Sequence, residues 1–280
     1  VQYYALTLAK GTGISSVSNG GTSTTSAVQY LYNSSNVQTI AIDATVSAGY
    51  TWKTWTKTAG TALSTVTVAT KSQNVKMAAG AATYRADTTY TATPTITRSD
   101  YNTFTYTASG AGAYYVSTSA TAPAAGTAAA SSSFALNTWT TAKNTGNLTL
   151  AAGQVYYVWA KNAATGGSVS ANKASIAVRT LTRSVGAGST LTTRYDATSS
   201  STGTAFTANT VMLAGTSVWA SSEASAGYNT ATLKHGSTTM TASGASYTVG
   251  ATEAITSAAT ANKVTLTLKK DGSNCTACNG

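Results

Sequence analysis

The four-residue string Ser-Ala-Gly-Tyr occurs twice in this chain, at residues 47–50 and 225–228. Each copy follows a run rich in Thr, Ser, Ala and Val and leads into an alternating segment. A Gly-x-Gly precedes each copy at nearly the same distance, at residues 11–13 and 186–188. Repetition over a long period constrains the architecture more strongly than any local pattern. The chain is therefore predicted to use one module twice, with a different segment between the copies.

Composition favours strands over helices throughout the 280 residues. Hydrophobic residues make up 42%, which excludes a disordered chain of the low-hydrophobicity type. Charged residues make up only 9%, against roughly 25% in ordinary soluble domains. The 24 Gly, 16 Tyr and abundant Thr and Val favour strands joined by Gly, Ser and Asn turns. We predict an all-β or β-rich protein built from tandem small domains.

The charge pattern narrows the class of partner. The net charge of +10 comes from 17 basic and 7 acidic residues, and the basic residues are scattered singly. Nucleic-acid-binding proteins normally gather basic residues on one face or segment, so no nucleic-acid partner is predicted. No stretch reaches the roughly 18 apolar residues of a transmembrane segment. The scarcity of charge indicates an extracellular or cell-surface protein, with weak attraction to anionic polymers.

Residues 1–93 read as a series of alternating strands. Ile40 and Ile42 fall on one face of a predicted strand, and Ala41 and Asp43 fall on the other. Such alternation is typical of a strand with one face in a core.

Three blocks of this segment carry a resemblance. They are Leu6–Ser18 with its Gly-x-Gly, Ser47–Thr56 with its two tryptophans, and Val75–Ala86 with its Thr-Tyr pair. In this order they resemble the internalin B-repeat family of bacterial surface modules. The resemblance implies a B-repeat-like module of β-grasp type, strung in tandem on cell-surface proteins. The closing block departs from the family because it lacks the proline usually found after its Met.

Residues 94–180 have a different pattern of short strands and turn-rich stretches, which predicts a β-sandwich. The block Leu148–Asn162 resembles the late-strand block of fibronectin type III and related immunoglobulin-like domains. The resemblance implies that a Leu and a Tyr fix the corner between two sheets.

Residues 181–261 are predicted to form a second, diverged B-repeat-like module. Residues 262–280 are predicted to form a terminal strand or the start of a further module, since Val264–Gly272 resembles the opening strand and turn of the first segment. A lone strand exposes unpaired backbone groups, so it needs a partner edge. We therefore predict a strand-donation segment carried by three alternating apolar residues: Val264, Leu266 and Leu268.

The residues that could support catalysis form no recognisable motif. His235 is the only histidine, and neither Gly-x-Ser-x-Gly nor His-Glu-x-x-His is present. His235 is therefore predicted to be an exposed turn residue. The 7 acidic residues are scattered along the chain. We predict no catalytic residue, no metal site and no cofactor.

Two features are candidates for covalent cross-links. The pair Cys275 and Cys278 lacks the further ligands of a zinc site, which leaves either a local or intersubunit disulfide or an uninformative tail. Lys10, Lys53 and Lys161 lie on or next to predicted strands, where a lysine beside a buried acid can form an isopeptide bond. Intact mass would reveal such a bond by the loss of ammonia.

The tryptophans are candidates for ligand contact. Trp52 and Trp55 are three residues apart on a predicted strand, so their side chains should point to opposite faces. Core packing is the default for most tryptophans. We take Trp55 as the candidate outward contact for a glycan or a partner protein.

These observations together favour a non-enzymatic extracellular structural protein. It would be a modular building block of a cell-surface fibre, filament or stalk, formed by self-association. The alternative is an adhesin that binds a glycan or a host protein through exposed aromatic side chains. Long filaments of the purified chain would favour the first hypothesis, and binding lost on Trp55→Ala would favour the second.

Overall fold

The structure is a computed structural model that describes residues 2–263, 269–270 and 273–274. These residues form strands, turns and irregular segments, and no helix occurs among them. The prediction of an all-β chain is confirmed. Within the described residues, then, no helix is available that could cross a membrane.

The strands in chain order are β1 (Gln2–Lys10), β2 (Ile14–Asn19), β3 (Thr22–Ser23), β4 (Val28–Tyr32), β5 (Thr39–Val46), β6 (Tyr50–Gly60), β7 (Gln73–Lys76), β8 (Ala82–Tyr90), β9 (Thr95–Arg98), β10 (Phe104–Thr107), β11 (Ala113–Ser117), β12 (Trp139–Thr140), β13 (Val155–Lys161), β14 (Ala174–Val185), β15 (Ser189–Tyr195), β16 (Thr204–Ala205), β17 (Thr210–Leu213), β18 (Ser217–Ala224), β19 (Tyr228–His235), β20 (Thr238–Met240), β21 (Ala245–Thr248), β22 (Glu253–Ala261), β23 (Lys269–Lys270) and β24 (Ser273–Asn274).

The chain divides into two compact units. The first runs to Ser99 and includes Thr103–Leu148 and Val155–Ile176. The second consists of Asp100–Asn102, Thr149–Gln154 and the chain from Ala177 onward.

The first unit begins with two four-stranded sheets, in the orders β4-β1-β8-β6 and β3-β2-β5-β7. The first strand of this segment, β1, is parallel to its last strand, β8, and the pairing runs from Leu6 opposite Ala82 to Lys10 opposite Ala86. The other pairs in both sheets are antiparallel. Strands β1 to β8, residues 2–90, are called the first copy below.

Alternating apolar residues place the core of the first copy. Ile40 and Ile42 on β5 are buried while Ala41 between them is exposed, which confirms the face predicted from the sequence. Leu6 and Leu8 are buried on β1 for the same reason. The members of this core with the largest fully buried side chains are Leu6, Leu8, Ile40, Ile42, Trp55, Met77 and Tyr84.

The remainder of the first unit contains a hairpin of β9 and β10 and a three-strand arrangement in the order β12-β11-β13. Phe104, Tyr106 and Tyr156 are buried and lie ring to ring at centroid distances of 6.0 to 6.1 Å. Residues 118–138 connect β11 to β12 as a long segment without a regular strand.

The second unit repeats the connectivity of the first copy. One sheet has the order β17-β14-β22-β19, with β20 added beside β19, and the other has the order β16-β15-β18-β21. Its first strand, β14, is again parallel to its last long strand, β22, from Leu181 opposite Glu253 to Val185 opposite Ser257. Strands β14 to β22 are called the second copy below.

Strand β14 runs without a break across residue 180, where the sequence pattern places a module boundary. The module boundaries stay a prediction. The strand-donation residues Val264, Leu266 and Leu268, and the pair Cys275 and Cys278, lie outside the described residues.

Candidate functional site

The Ser-Ala-Gly-Tyr string of the first copy forms a corner with the Gly-x-Gly turn. The Ser47 N–H donates to the Gly13 carbonyl at 2.9 Å, and the Tyr50 N–H donates to the Ser47 carbonyl at 3.2 Å. Gly13 has a φ of +80°, and a Cβ placed on it would lie 2.3 Å from the Tyr50 ring. Both the conformation and the close ring contact therefore require glycine.

The second copy has the same corner. The Ser225 N–H donates to the Gly188 carbonyl at 2.9 Å, and the Tyr228 N–H donates to the Ser225 carbonyl at 3.0 Å. Gly188 has a φ of +71°, and a Cβ there would lie 2.0 Å from the Tyr228 ring. Within each copy, the Gly-x-Gly turn and the Ser-Ala-Gly-Tyr string are thus in direct contact. We call these two sites the glycine–tyrosine corners.

The corner of the first copy packs against a neighbouring turn. The Tyr50 and Tyr90 rings lie 5.1 Å apart, and the Tyr90 hydroxyl donates to the Ser109 carbonyl at 3.2 Å. Tyr90 is buried, and this burial, together with the nearby phenols of Tyr114 and Tyr50, raises its pKa to about 12. The corner therefore joins the first copy to the turn before β11.

A cleft of about 730 Å³ opens beside this corner, within the first unit. Strands β1, β6 and β8 of the first copy provide one part of its lining, and the segment after β13 provides the other. Its charged residues are Lys10, Lys53, Arg85 and Asp87. The remaining lining residues are Gly11, Thr12, Tyr50, Thr88, Tyr90, Asn162, Ala163, Gly167 and Ser168.

The Asp87 carboxylate in this cleft accepts hydrogen bonds from two neighbouring side chains. Arg85 Nε donates to Asp87 at 2.7 Å, and the Thr56 hydroxyl donates to the other carboxylate oxygen at 2.5 Å. Burial alone would raise the pKa of Asp87, but these hydrogen bonds and the charges of Arg85 and Lys53 outweigh it and lower the pKa. Hydrogen bonding to Asp87 in turn raises the pKa of Arg85.

The lysines of the cleft carry positive charge beyond that ion pair. The Lys10 ammonium donates to the Ser15 carbonyl at 3.3 Å, which is an uncharged partner, and Lys53 is exposed. The four charged side chains thus sum to a net positive cleft with polar walls. Such an arrangement attracts a sulfate, phosphate or carboxylate group.

Sequence reasoning missed Arg85 and Asp87 as a pair. They are two residues apart on β8, which places both side chains on one face, so this signal was present in the pattern. Their approach to Lys10 and Lys53 depends on the order of β1, β8 and β6, which the sequence does not show.

The tryptophans of β6 differ from the prediction. The register of β6 against β8 shifts between Trp52 and Thr54, and this irregularity breaks the alternation of side chains. Trp52 and Trp55 therefore lie together, with ring centroids 5.3 Å apart. Trp55 is 1% exposed and its indole N–H donates to the Lys71 carbonyl at 3.0 Å. Its assignment as an outward contact was wrong, because Trp55 is a core residue.

A second group of aromatic and cationic side chains lies under the long segment 118–138. Lys161 is fully buried, and its ammonium donates to the Ala125 carbonyl at 3.0 Å and lies 4.8 Å from the centroid of the Trp139 ring. Burial lowers the pKa of Lys161. The Trp139 indole N–H donates to the Ala124 carbonyl at 2.8 Å. Lys161 thus contacts a backbone carbonyl and an indole ring, and these contacts hold the segment in place. Neither group is the carboxylic acid that an isopeptide bond requires beside its lysine.

His235 also differs from its prediction. It ends β19, where its ring nitrogen Nε2 lies within hydrogen-bond distance of the Glu253 carboxylate on β22 and its ring stacks on Tyr247 with centroids 3.8 Å apart. Burial and the charge of Glu253 raise the pKa of Tyr247. The residue is partly buried between strands of the second copy and is not an exposed turn residue. No local signal links His235 to a glutamate so far along the chain.

Comparison with protein-family models, with curated proteins and with solved structures finds no match to this chain.

Proposed function

We propose that this chain is a non-enzymatic structural protein that carries tension as a building block of an extracellular fibre, filament or stalk. One observation carries the proposal. In both copies the first strand is paired in parallel with the last long strand, β1 with β8 and β14 with β22.

This pairing resists tension for a geometric reason. When two neighbouring strands are parallel, the chain enters at one end of the pair and leaves at the opposite end. A pull along the chain makes the strands slide past each other, so their hydrogen bonds are loaded together. Strands that are peeled apart from one end lose the same bonds one at a time. Each copy is therefore built as a clamp in the direction of the chain.

Two further observations support a surface location outside the cell. Charged residues make up only 9% of the chain, which is unusual for a protein of the cytoplasm. The sequence also resembles internalin B-repeats and, in its middle segment, fibronectin type III domains. We accordingly propose a bacterial cell-surface protein with β-grasp-type copies and an immunoglobulin-like segment between them.

Pulling the whole chain by its two ends tests the proposal. We expect two unfolding events of comparable, high force, one for each copy, because both contain the same parallel clamp. Extension at low force without such events would overturn the proposal. Forced unfolding reports the unfolding barrier, so the result does not depend on equilibrium stability alone.

The positively charged cleft favours a second candidate, an adhesin for anionic glycans. Replacement of Lys10 and Lys53 by Gln should abolish binding to sulfated or uronic-acid glycans on an array. The double replacement Lys57→Gln/Lys76→Gln removes the same two charges at exposed positions outside the cleft lining, and it should leave binding intact. An array without binding by the wild-type chain, or equal binding by all variants, would contradict this candidate.

A further inference from the structure

Among the described residues, the edge of the sheet at β4 carries no charge, proline or bulge that would protect it from pairing. Strand β4 pairs with β1 on one side, from Gln2 opposite Tyr32 to Leu6 opposite Val28, without a register shift. It is the outermost strand of its sheet among the described residues. Its sequence, Val-Gln-Tyr-Leu-Tyr, contains no charge and no proline. Natural edge strands usually carry a charge, a proline or a bulge against association.

Apolar side chains flank this edge. Tyr3, opposite Leu31 in the register, is 65% exposed, which is the largest exposure among the bulky hydrophobic residues described. The Tyr4 and Tyr32 rings lie 5.7 Å apart beside it. An added strand would cover apolar area here as well as pair its backbone.

The second copy shows that this edge accepts additional backbone. Strand β17 holds the position of β4, and its Leu213 N–H donates to the Tyr101 carbonyl at 2.8 Å. The Tyr101 N–H is in turn held by the Asp196 carboxylate at 2.8 Å. A segment from outside the repeat thus contacts the end of the edge strand in the second copy through one backbone hydrogen bond. In the first copy, β4 has no such segment among the described residues.

The sequence contains a segment that matches the β4 edge. Residues 264–268, Val-Thr-Leu-Thr-Leu, equal β4 in length, alternate apolar and Thr residues, and carry no charge. They resemble the Leu-Thr-Leu of β1, which is the strand that β4 already pairs with on its other side. The same side-chain pattern therefore suits both sides of β4.

We propose that the β4 edge of one molecule binds residues 264–268 of a second molecule as an added strand. This inference rests on the proposed structural function and names the interface that would link the molecules. The contact is heterologous, because two different surfaces meet, and repetition of such a contact produces an open filament.

The test compares the molar mass of the full chain by light scattering over a range of concentrations. Wild type should increase in mass with concentration, and excess peptide of residues 262–270 should prevent the increase. Gln29→Lys places a charge on the exposed β4 edge and should keep the chain monomeric. Gln38→Lys makes the same change at an exposed position outside β4 and should associate as wild type does.

Disulfide cross-linking between engineered cysteines locates the contact. In a Cys275→Ser/Cys278→Ser background, Gln29→Cys with Thr265→Cys should form a disulfide-linked ladder under oxidation, whereas Gln38→Cys with Thr265→Cys should not. A wild-type chain that stays monomeric, or equal association by both Gln→Lys variants, would overturn the edge proposal. If the chain stays monomeric but unfolds at high force, the structural function stands and the edge proposal fails. If the chain associates but unfolds at low force, the edge proposal stands and the structural function fails.

Discussion

Two glycines define the corners at which each copy turns between its sheets. Gly13 and Gly188 both have positive φ and both lie under a tyrosine ring, Tyr50 and Tyr228. The sequence predicted that the glycine turns and the tyrosine strings belong to one repeat. It could not predict their contact, because residues far apart in the chain meet only through the pairing of β2 with β5.

Gly13→Ala should destabilise the chain more than Gly21→Ala. Both glycines have positive φ, so each substitution costs about 1–2 kcal/mol of backbone strain. Only Gly13 lies against a ring, since a Cβ on Gly21 would meet no atom within 4 Å. The clash adds about 1–3 kcal/mol at Gly13. Urea unfolding of the two variants measures the difference, and equal losses would contradict the packed corner.

Tyr90 should make the first unit sensitive to alkaline pH. Tyrosine ionises near pH 10.0 in the unfolded chain, whereas burial raises the folded pKa of Tyr90 to about 12. Its contribution to stability is therefore complete below pH 10 and is lost as the pH rises towards 12, by about 1.4 kcal/mol per pH unit. The Tyr90→Phe variant lacks this ionisable group and does not lose this stability. The difference between its free energy of unfolding and that of wild type should therefore shrink over this pH range. A deficit that stays constant from pH 9 to 11 would refute the assignment.

Among the elements, β6 shows where a pattern of alternation fails. Period two predicts opposite faces for Trp52 and Trp55, but the register shift beside Trp52 brings both rings together. The position of a bulge depends on the partner strand, β8, so it is not visible in the sequence of β6 alone. In the part of β5 that pairs with β7 without a register shift, the predicted faces of Ile40 and Ile42 are confirmed.

Lys161 should hold the segment 118–138 in place. Lys161→Met removes the hydrogen bond to the Ala125 carbonyl and the contact with Trp139 but also removes a buried charge. Removing the buried charge also removes its desolvation cost, which offsets the loss of these two contacts. We therefore expect faster elastase cleavage within 118–138 at nearly constant Tm.

Lys143→Met, at an exposed position, is the matched control and should leave the cleavage rate unchanged. If Lys161→Met is cleaved no faster than wild type, the lysine does not restrain the segment.

For the whole molecule, composition and alternation were enough to predict an all-β chain with a repeated pattern. The strand order was not predictable, because the parallel pairing of β1 with β8 joins residues more than seventy positions apart. The cleft was missed for the same reason. Lys10, Lys53 and Arg85 come from three strands, and only the order of those strands brings their charges together.

The direction of pulling tests the tension-bearing clamp most directly. In a Cys275→Ser/Cys278→Ser background, handles at Gln2→Cys and Thr89→Cys pull the first copy from opposite ends of β1 and β8, so the strands must slide. Handles at Lys10→Cys and Thr89→Cys pull from the same end and peel them apart. All three positions are exposed. We predict a several-fold higher unfolding force for the opposite-end pair, and equal forces in the two directions would contradict the account.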